Sequence, residues 1–304
     1  MRREEMMVYL LQQIANAVPI AALYAALAFG YAVIFGMTRR PDITYGALIA
    51  FSGQVFLLFA QFGWQQLFLV LPATLSLAAA MALLYTLATA GAVAHYVMRP
   101  LRAHSPNAVI VASLGLLIVL SEGMRLAMDS RELWISPLLH HRVVLAVGDG
   151  SEVGLTVMQL GNAAIMAAMV ALGHLALGRT RAGRAWRAVA DDPVAARLCG
   201  INSDTVFTLS YLPAAVIAAV SGVLATSYYG TMDFGSGLML GLKIVLIAAA
   251  GGHGVPTRSA CGAAAVGFAE TLWSGYAATL WRDAAVISGL VLVLVISRRE
   301  RDIP

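Results

Sequence analysis

The sequence predicts an all-α, polytopic transmembrane bundle of about eight or nine spans, and three observations predict it. Of 304 residues, 60% are apolar and only 12% charged, with a mean hydropathy of +0.79. One soluble core cannot bury that much apolar surface and still leave a polar coat, so lipid must be the solvent for much of it. The apolar runs are long and lack the period-2 alternation of barrel strands, which leaves helices as the self-satisfying way to cross hydrocarbon. The positive charges gather between the runs rather than within them.

Apolar segments fall near 8–36, 43–60, 68–97, 108–127, 156–177, 205–227, 237–252, 259–278 and 284–297. The first follows Arg2 and Arg3 and contains Ala15-Asn16-Ala17, the outline of a signal peptide. It runs on through Phe35, too long for an h-region of about 7–15 residues, and reads as an uncleaved span. The segments at 237–252 and 284–297 are short for a crossing and suggest tilted, broken or half-buried helices. Pro19, Pro72 and Pro213 fall within spans, where neighbours must satisfy the freed carbonyls. Met128 to Glu152, with Pro137 and Gly148-Asp149-Gly150, is the longest polar stretch and reads as a loop. No linker or soluble module interrupts residues 1–304, which form a single transmembrane domain.

With the loop 178–204 placed in the cytosol and the spans alternating from it, 13 arginines share its side: Arg39, Arg40, Arg99, Arg102, Arg258, Arg298, Arg299, Arg301 and five within 179–197. Six lie opposite: Arg2, Arg3, Arg125, Arg131, Arg142 and Arg282. This balance favours nine passes with the C-terminus inside. Arg2 and Arg3 argue for an eight-pass alternative with both termini inside. Cys199 and Cys261 match no metal or redox spacing, and six histidines, with only His140 and His141 adjacent, form no HExxH pattern. No phosphate loop of the form G-x-x-x-x-G-K-[ST] is present. Neither metal nor cofactor is expected in this chain, and nothing points to nucleic acid.

The segment 179–202, RTRAGRAWRAVADDPVAARLCGIN, is the most informative. Ala182, Trp186, Val189 and Ala190 recur at helical spacing, with Arg184, Arg187 and Asp191 on the remaining face. Asp192-Pro193 restarts the helix, since Asp caps well and Pro suits the first helical position, and Gly200 fits the residue after its end. Two short helices with a corner between them follow. As physics alone they describe either an interfacial helix with arginines against lipid headgroups or a docking element that moves the spans on either side.

Within the spans, Lys243 and Glu270 are ionisable, and Glu122 lies near the end of one. Such groups cost about 2.5–3.5 kcal/mol each on insertion scales and normally face a cavity or a partner. Lys243 and Glu270 read equally as the lining of a polar path or as a pair that ties two helices. Eight glycines between 230 and 262 indicate close helix contact or local unwinding.

Several stretches together resemble the permease subunits of branched-chain amino acid (LIV-type) ABC importers. Thr180, Gly183, Arg184, Arg187, Ala188, Ala190, Asp192, Pro193, Ala195, Ala196, Leu198, Gly200, Ile201 and Asn202 match that family's coupling-loop run. Ala21 to Tyr31 resembles its first span, Arg99-Pro100-Leu101-Arg102 its short basic loop, and Gly241-Leu242-Lys243, Gly251-Gly252, Gly262 and Glu270 its late pattern. The resemblance covers about residues 15–297. It implies a transport subunit that does not itself hydrolyse ATP. ATP and Mg would be bound by two cytosolic ATPase subunits, beside a second permease chain and an extracytosolic solute-binding protein in a bacterial inner membrane. It also implies ATPase coupling by Gly183, Arg184, Arg187, Asp191, Asp192 and Gly200. Asp42, Thr44, Tyr45, Lys243 and Glu270 are the candidates for the translocation path. The chain departs from the family where the second span begins: the usual N-F-A-H-G is Asp42-Ile43-Thr44-Tyr45-Gly46 here. His253, Pro256 and Arg258 also alter the late loop. These departures put the solute in question.

Two other functions fit parts of the sequence. One is an ion-coupled secondary transporter using Lys243 and Glu270, which would show internal repeats that are not evident. The other is an intramembrane hydrolase using Ser236 and His253, for which the G-x-S-G elbow needs glycine where Phe234 stands.

Overall fold

The computed structural model of the chain describes residues 3–101, 106–136, 141–148, 151–276 and 281–298. Arg2, Arg102, Pro137, His140, Asp149, Gly150, Arg299 and Arg301 therefore lie outside the described residues. Helices α1 (Arg3–Thr38) and α2 (Thr44–Gln65) come first. Helix α3 (Leu71–Ala92) then passes through a π-helical stretch, Val93–Met98, into the single turn α4 (Arg99–Leu101). Next come α5 (Pro106–Ala127), the strands β1 (Arg142–Gly148) and β2 (Ser151–Thr156), and α6 (Val157–Arg179). Two short helices, α7 (Arg181–Asp191) and α8 (Pro193–Leu198), precede α9 (Ser203–Tyr229), α10 (Ser236–Gly251), α11 (Pro256–Tyr276) and α12 (Arg282–Arg298).

Among the described residues, nine longer helices correspond one to one with the nine apolar segments. Six, namely α1, α2, α3 continued to Leu101, α5, α6 and α9, are each long and apolar enough to cross a membrane. Helices α10 and α11 pass that test only as a pair, bent by 109° and separated by four residues, and counting them as one span gives seven. The eight or nine crossings expected therefore include helices that are not full spans: α10 has 16 residues and α12 has 17. The bend follows from Gly252, at φ +89°, which ends α10 in a conformation that side chains resist.

Two local expectations change. Pro72 lies within the α3 span as expected but in its first turn, where its missing N–H has no partner to lose and no carbonyl is freed. Pro19 and Pro213 do lie within helices. The polar stretch 128–152, expected as a loop, contributes most of an antiparallel hairpin that runs from 142 to 156. Its first strand is a β-branched run, Val143-Val144 and Val147, and the helix α1 holds the second strand. Gln12 donates from Nε2 to the Gly154 carbonyl (3.0 Å) and accepts from the Gly154 N–H at Oε1 (2.9 Å). One side-chain amide thus closes the strand's open edge.

The core packs α1 against α11, α6 and α9, and α2 against α3, α9 and α10. Small residues set these distances. A Cβ added to Gly46 on α2 would come within 2.2 Å of the Gly241 Cα and 2.7 Å of the Gly237 carbonyl oxygen on α10. Neither is a flexible side chain that can move aside. At one end of the bundle lie the hairpin and the N-terminus of α1. At the other lie the α1–α2 turn, α7 and α8, the start of α9 joined by Arg99–Asp204 (3.3 Å), and the α10–α11 bend. Among the described residues, Arg39, Arg40, Arg99, the arginines of 179–197 and Arg258 fall at this second end, and Arg125, Arg131, Arg142 and Arg282 at the first.

Gly46→Val should therefore push α2 off α10, lowering stability by about 1–3 kcal/mol, as overpacking typically does. Gly115→Ala, with nothing within 4 Å of the added Cβ, should leave it unchanged. Thermal unfolding of the purified protein in detergent checks this, and equal melting temperatures for both variants would contradict the packing.

Candidate functional site

At the α7–α8 end, backbone capping builds a rigid elbow. The Thr180 hydroxyl accepts from the Gly183 N–H (3.0 Å) at the start of α7 and donates to the Ala176 carbonyl (2.6 Å) at the end of α6. Asp192 caps α8 by accepting from Val194 and Ala195 N–H groups (2.8 and 3.1 Å), and Asn202 caps α9 by accepting from Asp204 and Thr205. Gly200, at φ +82°, turns the chain between α8 and α9. The corner at Asp192-Pro193 and the glycine after it are where the sequence put them.

The buried face of α7 is fastened to two spans. Trp186 donates from Nε1 to the Val33 carbonyl of α1 (3.2 Å), and Arg39, just beyond α1, donates to the Ala190 carbonyl. Gly183 lies so close to the end of α6 that a Cβ there would meet the Leu177 carbonyl oxygen at 2.3 Å. Ala182 faces solvent, and Gly183 takes the buried position that periodicity had given to it. Arg184 and Arg187 are exposed and reach back to the Arg179 and Gly178 carbonyls (3.3 and 3.5 Å), where cations complement a helix C-terminus. Asp191 and Asp192 are exposed beside them. Sequence reading missed the apolar part of this surface: Val194 is 63% exposed and Leu198 86%, one turn apart on α8. Their i, i+4 spacing was the available signal.

The five candidates for a translocation path separate into two clusters. Asp42, Thr44 and Tyr45 are each about 1% exposed at the α1–α2 turn. Asp42 accepts from the Thr44 N–H at one oxygen (3.0 Å) and from the Tyr211 hydroxyl of α9 at the other (3.0 Å). Around it, the Tyr31 and Tyr45 hydroxyls, Thr44 Oγ1 and His253 Nδ1 have no hydrogen-bond partner among the described residues. Desolvation raises the Asp42 carboxyl above the ordinary carboxylate range, against the opposing hydrogen bonds from Thr44 and Tyr211.

Lys243 and Glu270 form the second cluster, centred on the Glu270 carboxylate. It accepts from Lys243 Nζ (2.8 Å) at one oxygen and from the Tyr24 hydroxyl (2.8 Å) at the other, with Arg282 Nε at 3.6 Å. The Lys243 ammonium also lies 5.2 Å from the Tyr24 ring centroid. One carboxylate thereby joins α1, α10, α11 and α12, and Tyr24 and Arg282 are members that no motif indicated. Glu122 pairs with Arg125 on the exposed side of α5. Ser236 and His253 are not brought together: they flank the 16-residue α10 at opposite ends, about 24 Å of helix apart, which removes the hydrolase.

The Asp42 cluster makes a pH-dependent prediction. At low pH the carboxyl is neutral whether the chain is folded or unfolded, and burial has no charge to penalise. As pH rises past the ordinary carboxylate range, the unfolded chain ionises first, and burial of Asp42 opposes folding increasingly until its raised folded pKa is passed. Asp42→Asn keeps an acceptor oxygen and removes the charge. It should raise the melting temperature more at pH 8 than at pH 5, and a gain no larger at pH 8 would contradict a desolvated carboxylate.

Comparison with known proteins bears on the whole chain. The family described as branched-chain amino acid transport system / permease component matches residues 13–296. The high-affinity branched-chain amino acid transport system permease protein LivH of Escherichia coli (strain K12) is 29% identical over 306 residues, covering 96% of this chain and 95% of LivH. LivH of Salmonella typhimurium is 29% identical over 300 residues, with the same coverage. The permease protein BraD of Pseudomonas aeruginosa is 28% identical, covering 94% of this chain and 93% of its own length. No solved structure matches. With nearly its whole length matched and its helices laid out as a polytopic bundle, this chain belongs to the family of branched-chain amino acid transport system permease components.

Proposed function

We propose that this chain is the membrane-spanning permease subunit of an ATP-driven importer in a bacterial inner membrane, carrying branched-chain or related aliphatic amino acids. The names of its relatives support the substrate class. The missing phosphate loop supports ATP and Mg binding in two separate cytosolic subunits. A second permease chain and an extracytosolic solute-binding protein complete the assembly, with α7 and α8 and the C-terminus on the cytosolic side.

One observation carries this reading: the α7–α8 elbow is anchored on one face and open on the other. Its inner face is fastened to α1 and α6, while Arg184, Arg187, Asp191, Val194 and Leu198 point outward. In this reading an ATPase subunit takes Val194 and Leu198 into an apolar pocket and pairs with the charges around them. Closure of the ATPase pair pulls α8, and the anchored elbow passes the movement to α1 and α6. The two orientations of the bundle exchange because ATP binds one of them better.

Two experiments test it. Arg184→Glu with Arg187→Glu, and separately Val194→Asp with Leu198→Asp, should each reduce co-purification of the ATPase about tenfold or more, the effect of losing an interface hot spot. Retained co-purification with transport-coupled ATPase activity would refute the docking role. In energised vesicles, uptake of leucine should continue after the proton gradient is collapsed while ATP persists. Uptake that stops with the gradient would instead favour the ion-coupled reading of Lys243 and Glu270.

A further inference from the structure

At the hairpin end of the bundle, α1, α6 and α9 enclose a cavity of about 320 Å³ that none of the sequence motifs indicated. Its lining is graded along the bundle axis. Helices α1 and α6 run away from the hairpin and α9 runs towards it, as the Gln12–Gly154 contact and the Thr156 cap of α6 require. Asn16, Asn162 and Tyr228 therefore lie near the mouth, with Leu23, Met166 and Leu224 one to two turns deeper.

The mouth is preorganised. Gln159 accepts from the Thr156 N–H at Oε1 (2.9 Å) and donates from Nε2 to the Tyr228 hydroxyl (3.1 Å), which directs the Tyr228 proton elsewhere. Asn16 uses its oxygen to accept from Gln12 (2.9 Å), leaving its amide hydrogens facing other acceptors. Pro19 has no N–H for the Ala15 carbonyl, so an acceptor is freed next to Asn16. Donors and acceptors are thus present together, and the polar side chains of the lining are the amides of Asn16, Gln159 and Asn162 and the hydroxyls of Tyr228 and Tyr229, none with a formal charge. The floor is aliphatic and thioether.

That combination matches a molecule with neighbouring ammonium and carboxylate groups, no net charge and an apolar tail. We infer that the cavity is the site where an aliphatic amino acid enters the membrane domain. Asn16, Asn162 and Tyr228 take its charged end, and Leu23, Met166 and Leu224 take its side chain. A side-chain charge would be stranded on the apolar floor, so lysine and aspartate are excluded. The inference rests on the importer reading above and adds the site and the selectivity to it.

The test uses the complete transporter, with its ATPase, second permease and binding protein, reconstituted in liposomes. Ala225→Phe fills the cavity, and Asn162→Leu removes a polar group at its mouth. Each should lower leucine uptake about tenfold or more, the scale of a misfitted or unpaired substrate group. Alanine uptake should survive Ala225→Phe better than leucine uptake. Leucine uptake at the wild-type rate in both variants overturns the site, whereas a wild-type transporter that takes up no aliphatic amino acid overturns the importer reading itself. A second measurement is independent of turnover. With Cys199→Ser and Cys261→Ser in place, Leu224→Cys should react with a maleimide more slowly in the presence of leucine and at an unchanged rate with lysine. Labelling that ignores leucine, or that lysine slows equally, overturns the proposal.

Discussion

Hydrocarbon offers no hydrogen bonds, and a backbone polar group left open there costs several kcal/mol, so this protein must close its backbone groups from within. That requirement explains where the chain ends its helices and how it carries charge. Glu270 is tolerable inside the bundle because Lys243, Tyr24 and Arg282 converge on it from three other helices. The same convergence makes one buried carboxylate the tie among α1, α10, α11 and α12. At the elbow, where the chain reverses three times within about 25 residues, Thr180, Asp192 and Asn202 supply a side-chain oxygen at each restart.

Rigidity at the elbow has a mechanical consequence. A helix attached only at its ends would absorb a pull by bending its connections. Helix α7 is also attached along its length, through Trp186 to Val33, through Arg39 to Ala190 and through the close approach of Gly183 to α6. In the proposed coupling role, a force applied at α8 would therefore reach α1 along two routes. Because α1 also packs along α11, and α11 carries Glu270, a movement begun at the elbow in that role would have packed helices, and not a path of polar groups, between it and the charged tie.

Much of this was legible in the sequence, for identifiable reasons. Helix positions follow from apolar runs, and the elbow follows from Asp192-Pro193 and Gly200, residues whose backbone preferences are local. The expense of burying either charge alone marks Lys243 and Glu270 as special but leaves a polar path and a helix-tying pair equally open, and the 2.8 Å contact shows the pair. What was hidden depends on contacts between distant segments. Nothing in the neighbourhood of Gln12 announces that it will clamp Gly154, and without that clamp residues 142–156 read as loop. Tyr211 reaches Asp42 across 169 positions, and Arg282 approaches Glu270 from a short final helix. The 109° bend was visible only as a cluster of glycines, since composition marks a possible break and not its angle.

The departure at 42–46 and the proposed substrate cavity lie at opposite ends of the bundle, and this separates two questions that the sequence had merged. Asp42, Thr44 and Tyr45 are buried at the elbow end, packed with Tyr31 and Tyr211 and far along α1 from the cavity mouth at Asn16. From Asn16 to Tyr31 is about 22 Å of helix. Replacing the family's asparagine and histidine by Asp42 and Tyr45 therefore changes groups at the end of the bundle away from the proposed cavity. In the proposed reading, selection on size and charge acts at the amide-lined mouth and its apolar floor. The altered turn instead adds a buried carboxylate, and hydroxyls with no partner among the described residues, beside the α10–α11 bend. With selection assigned to the proposed cavity, an unusual second-span entry is compatible with an ordinary aliphatic substrate.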